Sequence, residues 1–280
     1  MPARLDPKLV EKLLDLALNE DLPAGDITTN SIFSKETATA RITAKEHGII
    51  AGLPLIQHIF HKLDSQISIQ LHVSEGDLVD KGTSIATIQG SMVGLLQGER
   101  ICLNVLQRLS GIATATYQYV QLLTSSKTKI VDTRKTLPGW RYLDKYAVTV
   151  GGGWNHRLSL SDAVMIKDNH IKGAGGIISA VERVRNQIPI TAKIEVEVTN
   201  QAEILQALAA HADIIMLDNM HLAAIKAGIE TIGGQAKVEI SGNVSLESLP
   251  QLANLGADYI SVGALTHSVQ AFDLSMNIIL

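Results

Sequence analysis

The sequence has almost no cysteine, no excess of positive charge and no long apolar run. Cys102 is the only cysteine among 280 residues, which excludes an intrachain disulfide and a site built from several thiolates. The formal net charge is −4, so no global basic field exists to attract nucleic acid or an anionic membrane. No segment approaches the roughly 18 apolar residues of a membrane span, and MPARLDPKLVEKLL is not a secretory signal. We expect a cytoplasmic globular protein without nucleic-acid or membrane partners.

The first 120 residues contain helix signals at both ends and strand signals between them. Asp6 and Pro7 precede KLVEKLLDLAL, which is typical of a capped helix with proline at its first position. The runs TATARITAKEHGIIAG, ISIQLHVSEGD and TSIATIQGS are separated by turn-forming residues. They predict a small antiparallel or sandwich-like unit. Helical sequence resumes near Gly94.

From Lys129 the pattern changes to alternating strands and helices. The strand candidates are KIVDT, YAVTV, AVMIK, KIEVEV, ADIIMLD, KVEIS and ADYISVG. Amphipathic segments such as GIISAVERVRNQI and QAEILQALAAH lie between most of them, which predicts a parallel sheet covered by helices. About seven such units favour a closed or nearly closed barrel, whose active site lies at the carboxyl ends of the strands.

Positively charged residues cluster at those predicted strand ends. Taken alone, a strand-end lysine or a His-Arg pair in a loop is ordinarily a solvated surface charge. Together they would bind an anion with several negative charges, and arginine forks suit carboxylates. The residues of this predicted cluster are Arg134, Lys135, His156, Arg157 and Lys167.

Acidic residues occupy the inward face of one predicted strand. Glu195 and Glu197 are two residues apart in KIEVEV and so share a face with Lys193. Charges inside a barrel must be paired or functional, and for Glu195 an ion-pair ladder is as good an interpretation as a functional role. Glu197 and Asp218 lie nearest the catalytic end, where they could hold Mg²⁺ or sugar hydroxyls.

Two glycine motifs follow the last two predicted strands. SGN and SVGA offer backbone N–H groups just before helices, where barrels commonly bind phosphate. The residues concerned are Ser241, Gly242, Asn243, Val262, Gly263 and Ala264. The residues alone thus predict a sugar-phosphate enzyme that also binds a polyanionic, carboxylate-bearing partner.

Longer motifs in the same order resemble the quinolinate phosphoribosyltransferase family, from about Glu20 onward. They include EDLPAGDITT, GERICLNVLQRLSGIAT, VDTRKTLPG, SDAVMIKDNH, EISGNV and GADYISVGALTHS. The resemblance implies that quinolinate and phosphoribosyl pyrophosphate, with Mg²⁺, give nicotinate mononucleotide, pyrophosphate and CO₂ in de novo NAD biosynthesis. It also implies an α/β fold with an N-terminal α/β sandwich domain, residues 1–110, and a C-terminal incomplete, seven-stranded type α/β barrel, residues 111–280. A last helix would pack back on the N-terminal domain.

The resemblance also implies residue roles. Lys135, Glu197 and Asp218 would be catalytic, with Glu197 and Asp218 at the metal and Lys135 near the reacting carboxylate and pyrophosphate. Arg100 would reach the active site of the neighbouring subunit in a homodimer, which could assemble further into a hexamer. The quinolinate carboxylates would be bound by Arg134, His156, Arg157 and Lys167, and the 5′-phosphate by Ser241, Gly242, Asn243, Gly263 and Ala264. Thr133 and Val262 would also be substrate-binding. One departure is Ser159, where the family usually has a glycine nearby.

Other functions fit the sequence less well. HVSEGDLVDKGTSIATIQG resembles part of a biotinyl or lipoyl carrier domain, but no exposed lysine hairpin follows it. A nicotinate or nicotinamide phosphoribosyltransferase, or a molybdenum-transport pyrophosphorylase-like protein, would leave some of the predicted cations unpaired. The nucleotide-salvage phosphoribosyltransferases need an acidic Thr-Gly-Gly-Thr type loop that this sequence lacks. A barrel that serves only as an interaction scaffold does not need so many charged strand ends.

Overall fold

Eleven helices and twelve strands lie within residues 5–123 and 127–279, the part of the chain that this computed structural model describes. The helices are α1 (Pro7–Asp21), α2 (Ile27–Ile32), α3 (Leu53–Leu63), α4 (Met92–Gln121), α5 (Arg141–Val150), α6 (Asp168–Ala174), α7 (Ile177–Arg185), α8 (Gln201–Ala209), α9 (Leu222–Ile232), α10 (Leu249–Ala253) and α11 (Ala264–His267). The strands are β1 (Thr37–Ala44), β2 (Gly48–Ile49), β3 (Ser68–Leu71), β4 (Leu78–Val79), β5 (Ser84–Ser91), β6 (Lys129–Val131), β7 (Val164–Ile166), β8 (Ile194–Val198), β9 (Ile214–Asp218), β10 (Lys237–Ser241), β11 (Tyr259–Ser261) and β12 (Leu274–Ile279).

The described chain forms two compact units that alternate along the sequence. One unit draws on the described residues within 1–117, 136–152 and 265–280, and the other on those within 118–135 and 153–264. The chain thus passes between the two units several times. The predicted domains, residues 1–110 and 111–280, stay a prediction. None of the described helices is both long enough and apolar enough to cross a membrane.

The first unit contains the predicted capped helix and an antiparallel sheet. Asp6 caps α1 by accepting a hydrogen bond from the Lys8 N–H at 3.0 Å, as the sequence predicts. The sheet order is β12-β1-β5-β3, and all three of its strand pairings are antiparallel. The small antiparallel unit that the sequence predicts is therefore confirmed.

Strand β12 follows α11, the last described helix, and adds an edge strand to this sheet, while the predicted packing of a last helix on the N-terminal domain stays a prediction. β12 pairs with β1, with Ile278 opposite Ala40 and Met276 opposite Ile42. In β12 the buried residues Leu274 and Met276 alternate with polar ones, which is the period of a strand with one buried face.

The second unit contains a six-stranded parallel sheet. Its order is β6-β11-β10-β9-β8-β7, and helices follow the strands along the chain. Trp154 adds one parallel bridge to Val131 on the other side of β6. Within the described residues no ladder joins Trp154 to β7, so the sheet stays open there. The expected incomplete α/β arrangement is confirmed, with six strands and one bridge in place of seven strands.

The predicted strand YAVTV is helical and lies in α5 of the first unit. Local propensity fails here because Val148, Thr149 and Val150 are β-branched. Contacts from distant residues favour the helix. Arg108 donates two hydrogen bonds of 2.9 Å to the buried Asp144 carboxylate, and the Tyr146 hydroxyl donates to Glu75 at 2.8 Å.

Candidate active site

A cavity of about 620 Å³ lies at the carboxyl ends of the parallel strands of the second unit. This is where parallel α/β sheets place their ligands. The predicted site residues that line it are Thr133, Arg134, Lys135, His156, Arg157, Lys167, Glu197, Asp218, Ser241, Gly242 and Asn243. The lining residues that were not predicted are Asp132, Met165, Met216, Asn219, Glu239 and Ser261.

Four predicted residues do not line this cavity. Val262 is buried, and its N–H donates to the Val131 carbonyl at 2.9 Å, so it belongs to the backbone pairing beside β6. Gly263 and Ala264 follow it, and their predicted phosphate contacts stay predictions. Arg100 is an exposed residue of α4 in the first unit, where it borders a separate groove with Leu16 and Trp140.

Two arginines form the cationic side of the cavity. The Arg134 Nε is buried and has no hydrogen-bond partner among the described residues. Arg157 donates from Nη1 to the Ala163 carbonyl at 3.1 Å. Burial and then repulsion from Arg134 lower the pKa of Arg157, although arginine stays charged at any physiological pH. The buried Arg134 N–H has no acceptor among the described residues, and a second guanidinium group lies nearby. This arrangement is suited to binding an anion.

The loop that carries Arg157 is tied by its own side chains. The Asp162 carboxylate accepts from the N–H groups of Leu158 and Ser159 at 2.6 and 3.0 Å. Ser159 is the residue at which the sequence departs from the family pattern that we expected, which has a glycine there. Its hydroxyl donates to Asp162 at 2.9 Å. Ser159 therefore adds one hydrogen bond to this loop, at a position where glycine has no side chain to contribute.

Two carboxylates on neighbouring strands form the acidic side. Glu197 on β8 makes an ion pair with Lys167, which follows β7. Asp218 ends β9 and accepts from the Asn219 side-chain amide at 2.7 Å. In each interaction one carboxylate oxygen is engaged, and Mg²⁺ prefers such hard oxygen donors in combination with substrate phosphates. These two residues fit the predicted magnesium site, and their role there stays a prediction.

Backbone geometry shapes the loops after β9 and β10. Gly242 has φ +102°, and a Cβ atom added there would lie 2.3 Å from Asn219 Oδ1. Only glycine fits this position, because of both the φ angle and the contact. Asn219 and Asn243 also have positive φ values, and their side chains hydrogen-bond each other at 3.3 Å. The SGN motif thus forms a tight, glycine-dependent rim on the cavity.

His156 lies on a buried pair of glutamates. Its Nε2 atom is 3.0 Å from Glu195 Oε2 and 3.4 Å from Glu239 Oε2, and the two glutamates are only 3% and 1% exposed. Burial opposes a charge on the ring, but the hydrogen bonds to Glu195 and Glu239 outweigh it and raise the pKa of His156. Because Nδ1 accepts the Arg157 N–H at 2.7 Å, the ring carries its proton on Nε2 in this arrangement and donates it to the glutamates. Glu195 is therefore paired, as a buried carboxylate must be, and the partner is His156.

Glu239 was missed in the sequence, although a signal was present. Glu239 and Ser241 are two residues apart on β10, as Glu195 and Glu197 are on β8. An acid two residues before a predicted site residue lies on the same face of its strand. The same rule that selected Glu195 would have selected Glu239.

Comparisons with known proteins indicate the family of this chain. The family model for the quinolinate phosphoribosyl transferase C-terminal domain matches residues 112–277, and the N-terminal domain model matches residues 26–110. A Bacillus subtilis (strain 168) relative, named probable nicotinate-nucleotide pyrophosphorylase (carboxylating), is 44% identical over 97% of this chain and 94% of its own length. Quinolinate phosphoribosyltransferase (decarboxylating) 2a, mitochondrial, of Nicotiana tabacum is 39% identical over 95% of this chain and 81% of its own.

A solved structure agrees as well. The nicotinate-nucleotide pyrophosphorylase from Francisella tularensis is similar with a TM-score of 0.95 and 39% identity, over 99% of this chain and 98% of that chain. Both family models, the relatives and the fold point the same way. The chain belongs to the quinolinate phosphoribosyltransferase family.

Proposed function

We propose that this chain transfers the phosphoribosyl group of phosphoribosyl pyrophosphate to quinolinate, with loss of pyrophosphate and CO₂, to give nicotinate mononucleotide. Family membership supports the reaction class. The name of the Bacillus relative describes the reaction as carboxylating, and that of the tobacco relative describes it as decarboxylating. The reaction would belong to de novo NAD biosynthesis. The low cysteine content, one in 280 residues, supports a cytoplasmic site of action.

The observation that carries this proposal is the arginine pair. Quinolinate bears two adjacent carboxylates on a pyridine ring, and Arg134 and Arg157 supply two guanidinium groups in one cavity. Because the Arg134 Nε is buried without a partner among the described residues, it needs an acceptor from a ligand. A substrate with one carboxylate would leave part of this charge unpaired, which is costly in a buried site.

The side chains of this cavity suit the two chemical steps. Arg134 and Arg157 would hold the carboxylates, so that the pyridine nitrogen faces the anomeric carbon of the sugar. As the nitrogen attacks, the bond from the anomeric carbon to the pyrophosphate oxygen breaks, and its electron pair leaves with pyrophosphate. In the second step the bond to the 2-carboxylate breaks, CO₂ leaves, and the electron pair stays on the ring carbon until a proton replaces it.

Lys135 and the acids would act on the charges that develop. The Lys135 backbone is held by a hydrogen bond from its N–H to Thr133 Oγ1 at 3.0 Å, beside the arginine pair. Its ammonium group would stabilise the departing pyrophosphate and the reacting carboxylate. Glu197 and Asp218 would stabilise positive character at the anomeric carbon. When Mg²⁺ is bound at these two carboxylates, it would neutralise charge on the pyrophosphate.

The proposed reaction is tested by supplying substrates to the purified protein. With quinolinate, phosphoribosyl pyrophosphate and Mg²⁺, we expect stoichiometric nicotinate mononucleotide and CO₂, measured by chromatography and by release of label from the 2-carboxylate. Removing Mg²⁺ with a chelator should abolish turnover, and restoring Mg²⁺ should recover it. Turnover of nicotinate but not quinolinate would contradict the proposal and favour a nicotinate phosphoribosyltransferase.

Arg134→Ala should separate binding of the two substrates. Loss of a charge-assisted carboxylate contact is worth about 2 kcal/mol or more, so the quinolinate dissociation constant should rise at least about 30-fold. The affinity for phosphoribosyl pyrophosphate should change little, and calorimetry with each ligand measures both. The control is Arg183→Ala, which removes the same charge from an exposed position of α7 outside the cavity. An unchanged quinolinate affinity in Arg134→Ala would remove this residue from the site.

We also propose a homodimer in which Arg100 completes the neighbouring active site. The position of Arg100 in the GERICLN motif and its exposure on α4 support this proposal. Mixing inactive Arg100→Ala and Lys135→Ala chains should restore about a quarter of the wild-type activity, because half of randomly formed dimers then contain one intact site. The control mixes Arg134→Ala with Lys135→Ala, which should give no rescue. If the Arg100→Ala mixture is also inactive, the sites are self-contained.

A further inference from the structure

Both ring nitrogens of His156 are already engaged by the protein. The Nδ1 atom accepts a hydrogen bond from the Arg157 N–H at 2.7 Å. The Nε2 atom lies at 3.0 and 3.4 Å from the carboxylates of Glu195 and Glu239. In this arrangement neither nitrogen is directed at a ligand. The predicted role of His156 as a direct quinolinate ligand therefore needs an alternative.

The histidine also joins three strands of the parallel sheet. Its backbone N–H donates to Asp132 Oδ1 at 2.9 Å, and Asp132, which directly follows β6, is fully buried. Glu195 belongs to β8 and Glu239 to β10. One residue in a loop thus has hydrogen bonds or ion pairs to groups on or directly after β6, β8 and β10.

These contacts replace a strand that the sheet lacks at this point. The segment around Trp154 forms a single bridge to Val131, and no ladder joins it to β7 among the described residues. Backbone pairing therefore holds it on one side only. Side-chain contacts from His156 help to fix the direction in which Arg157, the next residue, leaves the sheet, and the Asp162 contacts hold the residues that follow.

The glutamate pair is electrostatically costly. Glu195 Oε1 and Glu239 Oε1 are buried and have no hydrogen-bond partner within the described residues. A buried ion pair is often no more stabilising than an apolar replacement of similar size. Two such carboxylates on one ring nitrogen are better explained by orientation than by stability. Glu195 also attracts Arg157 itself, and this attraction opposes the lowering of the pKa of that arginine by burial.

We propose that Glu195 and Glu239 are positioning residues, which hold the His156 ring so that its Nδ1 atom fixes the Arg157 backbone and aims the Arg157 guanidinium at the substrate carboxylate. This inference rests on the proposed function, because it assumes that the arginine pair binds a dicarboxylate. It assigns a role to Glu239 and changes that of His156 from a direct ligand to a residue that acts through Arg157. His156, Glu195 and Glu239 could also surround a metal ion. The Nε2 atom already lies at hydrogen-bonding or ion-pair distance from both carboxylates, which favours the positioning role.

The first test replaces Glu239 by leucine and by glutamine. Leucine removes one of the two carboxylate acceptors of His156 Nε2, so KM for quinolinate should rise about tenfold or more as Arg157 loses its direction. KM for phosphoribosyl pyrophosphate should change less than twofold. Glutamine keeps an acceptor oxygen and should recover most of the loss. The control is Glu230→Leu on α9, an exposed glutamate, which should leave both KM values unchanged.

The outcomes separate this inference from the proposed function. Equal rises of both KM values in Glu239→Leu, or no rise of either, would overturn the positioning role while wild-type turnover of quinolinate still stands. A stoichiometric divalent ion that purifies with wild type and is lost in Glu239→Gln would also overturn it. If wild type does not turn over quinolinate at all, both proposals fail.

A second pair of variants keeps the test decisive if Glu239→Leu does not fold. In His156→Asn the side-chain oxygen can replace Nδ1 as acceptor of the Arg157 N–H, whereas His156→Leu cannot accept. We expect His156→Asn to bind quinolinate at least fivefold more tightly than His156→Leu in equilibrium dialysis. Equal affinities of the two variants would mean that the ring acts by direct contact, and the positioning role would be wrong.

Discussion

Charge held inside a low-dielectric cavity must be balanced, and this constraint governs the arrangement of the second unit. The cavity brings together the cations Arg134, Arg157 and Lys167 and the acids Glu197 and Asp218, and Lys167 pairs with Glu197. Glu195 and Glu239 lie beneath them on β8 and β10, with His156 between. Because each buried charge costs free energy unless it is paired, the partners constrain one another's positions. The buried Arg134 Nε has no hydrogen-bond partner among the described residues, and this is why we propose an anionic group of the ligand as its partner.

Most of the site could be predicted from sequence because two simple rules apply to it. Parallel strands place their carboxyl ends at one edge, and residues two apart on a strand share a face. These rules selected Arg134, Glu197, Asp218 and the SGN motif without knowledge of the fold. Glu239 obeys the same rule, but it lies two residues before the end of β10, and the site residues were expected at the strand ends. For Val262, no local rule could reveal that its N–H belongs to the backbone pairing.

The error in the predicted fold has a plain physical origin. The run Tyr146–Val150 has the composition of a strand, yet it ends helix α5. The deciding contacts come from residues far away in sequence. Arg108 binds Asp144 across 36 residues, and Tyr146 donates to Glu75 across 71 residues. Local propensity amounts to less than 1 kcal/mol per residue, which such contacts exceed.

Strand β12 has a consequence for how the protein is made. Its partner β1 leaves the ribosome more than 200 residues earlier, because Ala40 pairs with Ile278. Until residues 274–279 emerge, one edge of β1 has no hydrogen-bonding partner, and the buried positions of β12 are missing from the first unit. Contacts this distant in sequence slow folding, and an exposed strand edge invites association with other chains. The nascent chain therefore carries an open β-edge over the more than 200 residues that separate β1 from β12, and β12 then closes it.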